Sequence, residues 1–194
     1  MRVDIIDEQR LNEEGINNLL RNLLSRFYKK MARMLGVQAD ERVTIEILSE
    51  NEFKDKLRVS DYGVTALCGY NGILSKPFHL NSLEHIRILK HELVHFVLLR
   101  NFACNTNWVQ EGCAVYFTNQ IKRFNLKIES VDEISVTELN ERFQHNVEHY
   151  LVSGIYIKYL YEVQKDLFFK LLNNEIEISE FEDDAMRYYN LLTN

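Results

Sequence analysis

Between positions 16 and 35 apolar residues recur three and four apart: Ile16, Leu19, Leu20, Leu23, Leu24, Phe27, Tyr28, Met31 and Leu35. That spacing predicts a helix with one core-facing stripe, and Gly36 is a natural stop. From Arg42 to Leu48 the period changes to two, the mark of a half-buried strand, and Ser49 is placed to cap a short helix through Leu57. Residues 62–81 read as two strands joined at Asn71-Gly72, the strongest short hairpin signal. Residues 86–100 hold no Gly or Pro and predict an uninterrupted helix, followed by a polar reversal over 101–107. A further helix carries Val109, Cys113, Phe117 and then Ile121 on one stripe. Residues 125–133 are a polar connection, and Ser135-Val-Thr-Glu138 resembles a capping box opening a short helix. Beyond a helix over 144–160, two more follow. One presents Leu167, Phe168, Leu171 and Leu172; the other presents Phe181, Ala185, Tyr188, Tyr189 and Leu192. The pattern predicts an α+β fold, a small mixed sheet followed by a mainly helical C-terminal half.

The 194 residues are enough for one compact domain with a sizeable core, so a single domain over 1–194 is expected. Hydrophobic content of 46% and charged content of 27% are ordinary for a globular protein. The net charge of -6 argues against nucleic acid or an anionic membrane as partner. No apolar segment follows the first basic residue as a signal peptide would require, and no run of eighteen apolar residues occurs. Three cysteines, Cys68, Cys104 and Cys113, match no zinc-ribbon spacing. A cytoplasmic protein with reduced thiols is the expectation.

Chemistry concentrates in the helix over 86–100, which contains His91-Glu92-Leu93-Val94-His95. Residues four apart share a helix face, so His91 and His95 point the same way and can grip one tetrahedral cation. Glu92 is rotated off that pair but stays beside it, near enough to take a proton from a water on the metal. This is the H-E-x-x-H pattern of metal hydrolases. Catalytic zinc usually takes three protein ligands, and Glu111 is the candidate for the third. It lies sixteen residues beyond His95, next to Gly112 and Ala114, whose small side chains suit a helix pressed closely against another. An isolated helical Glu is more often a solvated surface residue, but its apolar neighbours here weaken that reading.

His91-Glu-x-x-His95 followed by Trp108-x-x-Glu111-Gly112-x-Ala114 resembles the zinc signature of the gluzincin metallopeptidases, closest to their aminopeptidase-like branch. The resemblance covers residues 40–165. It implies a gluzincin-like fold in which an edge strand lies next to the active-site helix, one Zn2+ ion held by His91, His95 and Glu111, and Glu92 as general base. No G-x-M-E-N motif precedes the helix, so recognition of a free N-terminus does not carry over. Leu98 and Asn101 stand where a metzincin needs Gly and His. In gluzincins a peptide adds to the exposed edge strand ahead of the active-site helix; by resemblance that edge runs from Val64 to Tyr70, and a plain core hairpin is the competing reading.

The helix over 144–160 looks like the gluzincin helix whose tyrosine faces the zinc. Tyr150 is then the first candidate to donate to the oxyanion of the tetrahedral intermediate, and His149 the second. Tyr150 meets the family's spacing to Tyr159-Leu160, although Gly154 falls one position late, with Ser153 in its place. A core tyrosine is the alternative role. His145 and His149 are also four apart, but no carboxylate is spaced to join them in a second metal site. Cys68 could in principle reach the open coordination position and hold an enzyme latent until oxidised, though most single cysteines are small buried hydrophobes. The sequence thus implies a zinc peptidase, an endopeptidase of narrow specificity acting on a peptide or protein substrate. The alternative is a non-catalytic zinc module that binds or regulates another protein.

Overall fold

The computed structural model describes residues 2–38, 42–57, 64–78, 83–123 and 134–193. It contains a four-stranded mixed sheet and eight α-helices among those residues, an α+β architecture. The chain divides into two compact units, Met1–Arg100 and Asn101–Asn194. The expected connection over 125–133 lies outside the described residues. Among the described residues no helix is long and apolar enough to cross a membrane.

In the first unit, strands β1 (Arg2–Ile6), β2 (Arg42–Ile47), β3 (Ala66–Gly69) and β4 (Gly72–Ser75) lie in the order β1-β2-β4-β3. β1 and β4 run parallel to β2, and β3 closes the hairpin antiparallel to β4. The alternation read from 42–48 holds: Val43, Ile45 and Ile47 are buried, while Thr44 and Glu46 are partly exposed. Helix α1 (Glu14–Leu35) packs on β1, and the Val3 N–H donates to the Ser25 hydroxyl at 3.0 Å. Its stripe buries Ile16, Leu20, Leu24, Tyr28, Met31 and Leu35, whereas Leu19 is 52% exposed. Gly36 ends the helix at φ 66, a left-handed conformation in which its N–H reaches back to the helix carbonyls. Ser49 caps α2 (Glu50–Leu57) as expected: its hydroxyl accepts from Glu52 N–H, and the Glu52 carboxylate accepts from Ser49 N–H.

The hairpin forms one residue earlier than Asn71-Gly72 suggests. Gly69 pairs with Gly72, so Tyr70 and Asn71 make the two-residue loop. Gly72 takes the strained position, at φ 148, and a Cβ there would lie 2.5 Å from the Thr44 carbonyl oxygen of β2. Helix α3 (Leu83–Asn101) begins before the expected stretch and carries His91, Glu92 and His95. Within the unit it meets α1, where Tyr28 and Phe96 sit edge to face at 6.4 Å.

The second unit is helical: α4 (Asn107–Phe117), α5 (Val136–Arg142), α6 (Val147–Val163), α7 (Lys165–Leu172) and α8 (Glu182–Thr193). α6 buries residues on every side, from Leu151 to Ile157 and on to Leu160, as the central helix of a bundle must. α4, α5, α7 and α8 all pack against it. Ser135 caps α5 by accepting from Glu138 N–H at 3.0 Å, as the capping-box pattern predicts. The reversal before α4 is anchored by Cys104 N–H donating to the Leu172 carbonyl at 2.9 Å and by Gln110 Nε2 donating to the Cys104 carbonyl at 2.7 Å.

Candidate metal centre

His91 and His95 are half-buried on one face of α3, with ring centroids 4.8 Å apart and planes at 69°. The helix continues without a break on both sides, which fixes the two Cβ atoms one above the other. Glu111 lies in α4 between buried Gln110 and Gly112 and is itself half-buried. One ligand atom from each of His91, His95 and Glu111 lies within 4.8 Å of the other two. A tetrahedral ion with ligands at ~2.1 Å separates its ligand atoms by about 3.4 Å. The three residues could thus hold a metal ion. Two nitrogens and one carboxylate oxygen are the donor types of an open, three-ligand zinc site. Among the described residues this is the one group of three or more His, Cys, Asp or Glu so placed.

Glu92 turns to the sheet. Its Oε2 accepts from the main-chain N–H of Cys68 at 2.7 Å, so the edge strand β3 and the H-E-x-x-H helix are in direct contact. The expected edge over 64–70 thus contains the outermost strand of the described sheet. Two further ties hold hairpin and helix together. Buried His85 meets Ser75 Oγ through Nε2 at 2.8 Å, and that hydroxyl donates to the Lys76 carbonyl, so the imidazole supplies the proton. At the other end, the Arg100 guanidinium stands 4.7 Å from the Tyr70 ring and 5.6 Å from Phe96. Neither His85 nor the Cys68 amide was legible beforehand: a lone histidine early in a helix carries no motif, and main-chain groups leave no mark in a sequence.

Cys68 stays outside the ligand group, its Sγ facing the Gly69 carbonyl at 3.6 Å. Burial, and secondarily the Glu92 charge, push its thiol up to about 12. That placement, away from the group that could hold a metal, speaks against the latency role considered for Cys68.

His149 and Tyr150 both lie in the first turn of α6, which Asn146 caps by accepting from His149 N–H at 2.8 Å. His149 is buried, and its Nδ1 accepts from Gln144 N–H at 3.2 Å, which leaves the ring proton on Nε2. The Tyr150 hydroxyl is paired with His145 Nδ1 at 3.0 Å, and Phe143 stands edge-on to both rings. His145 and His149 join no metal-binding group among the described residues.

Compared with models of known protein families and with curated proteins, the chain matches none.

Proposed function

We propose that this chain is a zinc-dependent peptidase, an endopeptidase of narrow specificity with a gluzincin-like arrangement, holding one ion through His91, His95 and Glu111. The observation that carries the reading is the convergence of two imidazoles and a carboxylate within 4.8 Å, with a second carboxylate, Glu92, next in sequence to the first histidine. A structural zinc site has no use for that extra carboxylate and usually closes with four protein ligands. An ion so held would supply Lewis acidity, acidifying water and polarising a carbonyl.

The chain's own groups account for the rest. Glu92 accepts the proton of the attacking water and returns it to the leaving amine. Tyr150, and after it His149, are proposed as donors to the developing oxyanion; the Nε2–H of His149 and the paired hydroxyl of Tyr150 have the chemistry required. β3, the outermost strand of the described sheet, is proposed as the edge to which a peptide adds. Three cysteines with no disulfide suit a reducing compartment such as the cytoplasm.

The test is metal content together with cleavage of a mixed peptide library, with and without chelator, on the wild type and Glu92→Gln. The reading requires one zinc per chain, cleavage that chelator abolishes, and a Glu92→Gln protein that keeps zinc and loses turnover. Zinc binding without cleavage by the wild type would leave a non-catalytic zinc module that binds another protein.

A further inference from the structure

We propose that the main-chain N–H of Cys68 is the positioning group for Glu92, so that strand β3 sets the orientation of the base. The proposal rests on the peptidase reading above. It begins from the pairing of β3 with β4. Lys76 N–H donates to the Thr65 carbonyl at 2.9 Å, and the register pairs Leu67 with Leu74 and Gly69 with Gly72. In an antiparallel pair, hydrogen-bonded and outward-facing residues alternate. Thr65, Leu67 and Gly69 therefore turn their main-chain groups to β4, and Ala66 and Cys68 turn theirs to the side away from it.

An N–H on an open edge ordinarily goes to solvent or to an added strand. That of Cys68 is taken by Glu92 Oε2 at 2.7 Å, the length of a charge-assisted bond. Fixing one carboxylate oxygen fixes the plane of the group, and with it the direction in which Oε1 is presented for proton transfer. The strand cannot slide past the helix, because Ser75–His85 and Tyr70–Arg100 clamp the hairpin to α3 on either side of the contact.

Two measurements test this. In ¹⁵N-labelled protein without substrate, Glu92→Ala is expected to shift the Cys68 amide proton upfield and to speed its exchange with solvent. In kinetics, Cys68→Pro is compared with Cys68→Ala: both lack the thiol, and only the second keeps the amide. Proline is tolerated at an edge position whose N–H faces outward, and Leu67 before it is already extended. The expected result is a kcat on the order of ten to a hundred times lower in Cys68→Pro than in Cys68→Ala, with KM within about twofold and zinc content equal. A Cys68 amide that ignores Glu92→Ala, equal kcat in the two Cys68 variants, or a Cys68→Pro defect confined to KM would each overturn the proposal. The amide measurement decides the point should Cys68→Pro fail to fold. The peptidase reading fails differently: the wild type itself would cleave no peptide, whatever the amide does.

Discussion

Gly112 of α4 lies against Ser153 of α6 so closely that a Cβ on the glycine would stand 2.7 Å from the Ser153 carbonyl oxygen. The same atom would meet Ile157 Cγ1 at 2.8 Å. A carbonyl oxygen inside a helix cannot step aside, so Gly112→Ala must push the two helices apart. Alanine's better helix propensity returns only about 1 kcal/mol, against an overpacking cost of ~1–3 kcal/mol or more. Thermal melting should show a Tm lower by about 3–8 °C. Because Glu111 is the neighbouring residue, zinc affinity should fall as well. Gly154→Ala meets a softer obstacle, Val115 Cγ1 at 2.6 Å. Its cost should be partly recovered in the double variant with Val115→Ala, a non-additivity that Gly112→Ala with the same partner should lack.

Metal should stabilise the chain measurably. An ion that binds the folded protein alone adds about 2.7 kcal/mol at a hundredfold excess over Kd, which for a chain of this size is a Tm rise of roughly 5–10 °C. Differential scanning fluorimetry with zinc, and then with chelator, should show that rise and its reversal. His91→Ala and His95→Ala should each abolish the response, since two ligands of three do not hold catalytic zinc. Glu111→Ala should do the same. A full zinc response in Glu111→Ala would remove that residue from the centre.

Stability toward acid should depend on Asp7. Its carboxylate accepts from Leu11 N–H at 2.8 Å, from Asn12 N–H at 2.9 Å and from Asn17 Nδ2 at 3.0 Å. Burial alone would raise its pKa, but the bonds from Asn17, Asn12 and Leu11 together outweigh it and hold the group below the ordinary carboxylate value. A carboxylate depressed in the folded state contributes its stability above the unfolded pKa, near 3.9, and loses it as pH falls through the lower folded value. Asp7→Ala should therefore cost on the order of 1 kcal/mol near pH 7 in urea melts, and the gap to wild type should close below about pH 4. The same loop ties into the first unit through Phe78 N–H, which donates to Asn12 Oδ1 at 2.7 Å.

Most of the helices were legible from the period of apolar residues and from their caps. The α1 stripe with its Gly36 stop, the Ser49 and Ser135 caps, and the two C-terminal helices all lie where local signals put them. What escaped was set by long-range pairing. β1 is five residues whose strand character comes from lying parallel to β2, forty positions away in register, and nothing local marks it. Leu19 belongs to the α1 stripe by spacing but stands at its edge, beyond the width of the packed surface. His91, Glu92 and His95 could be singled out because spacing along one helix is a direct projection of sequence, whereas Glu111 lies on another helix and was singled out by its small, apolar neighbours and a motif resemblance. The amide that holds Glu92 and the tautomer of His149 were not, since both depend on which main-chain groups a fold leaves unpaired.

Cys68 should be a poor nucleophile for a half-buried cysteine. With its thiol pushed up to about 12, first by burial and then by the Glu92 charge, only about one molecule in ten thousand carries the thiolate at pH 8. Iodoacetamide should label it far more slowly than an unhindered thiol, with Cys104 and Cys113, both buried, slower still. Removing the neighbouring negative charge lowers the thiol pKa, so Glu92→Gln should speed the labelling of Cys68, and mass spectrometry of the modified peptide reads the rate. The sulfur also lies outside the group that could hold a cation, facing the Gly69 carbonyl at 3.6 Å. Mild oxidant should consequently leave peptide cleavage by the zinc-loaded protein unchanged, and a burst of activity on oxidation, lost in Cys68→Ser, would show that the thiol blocks the metal after all.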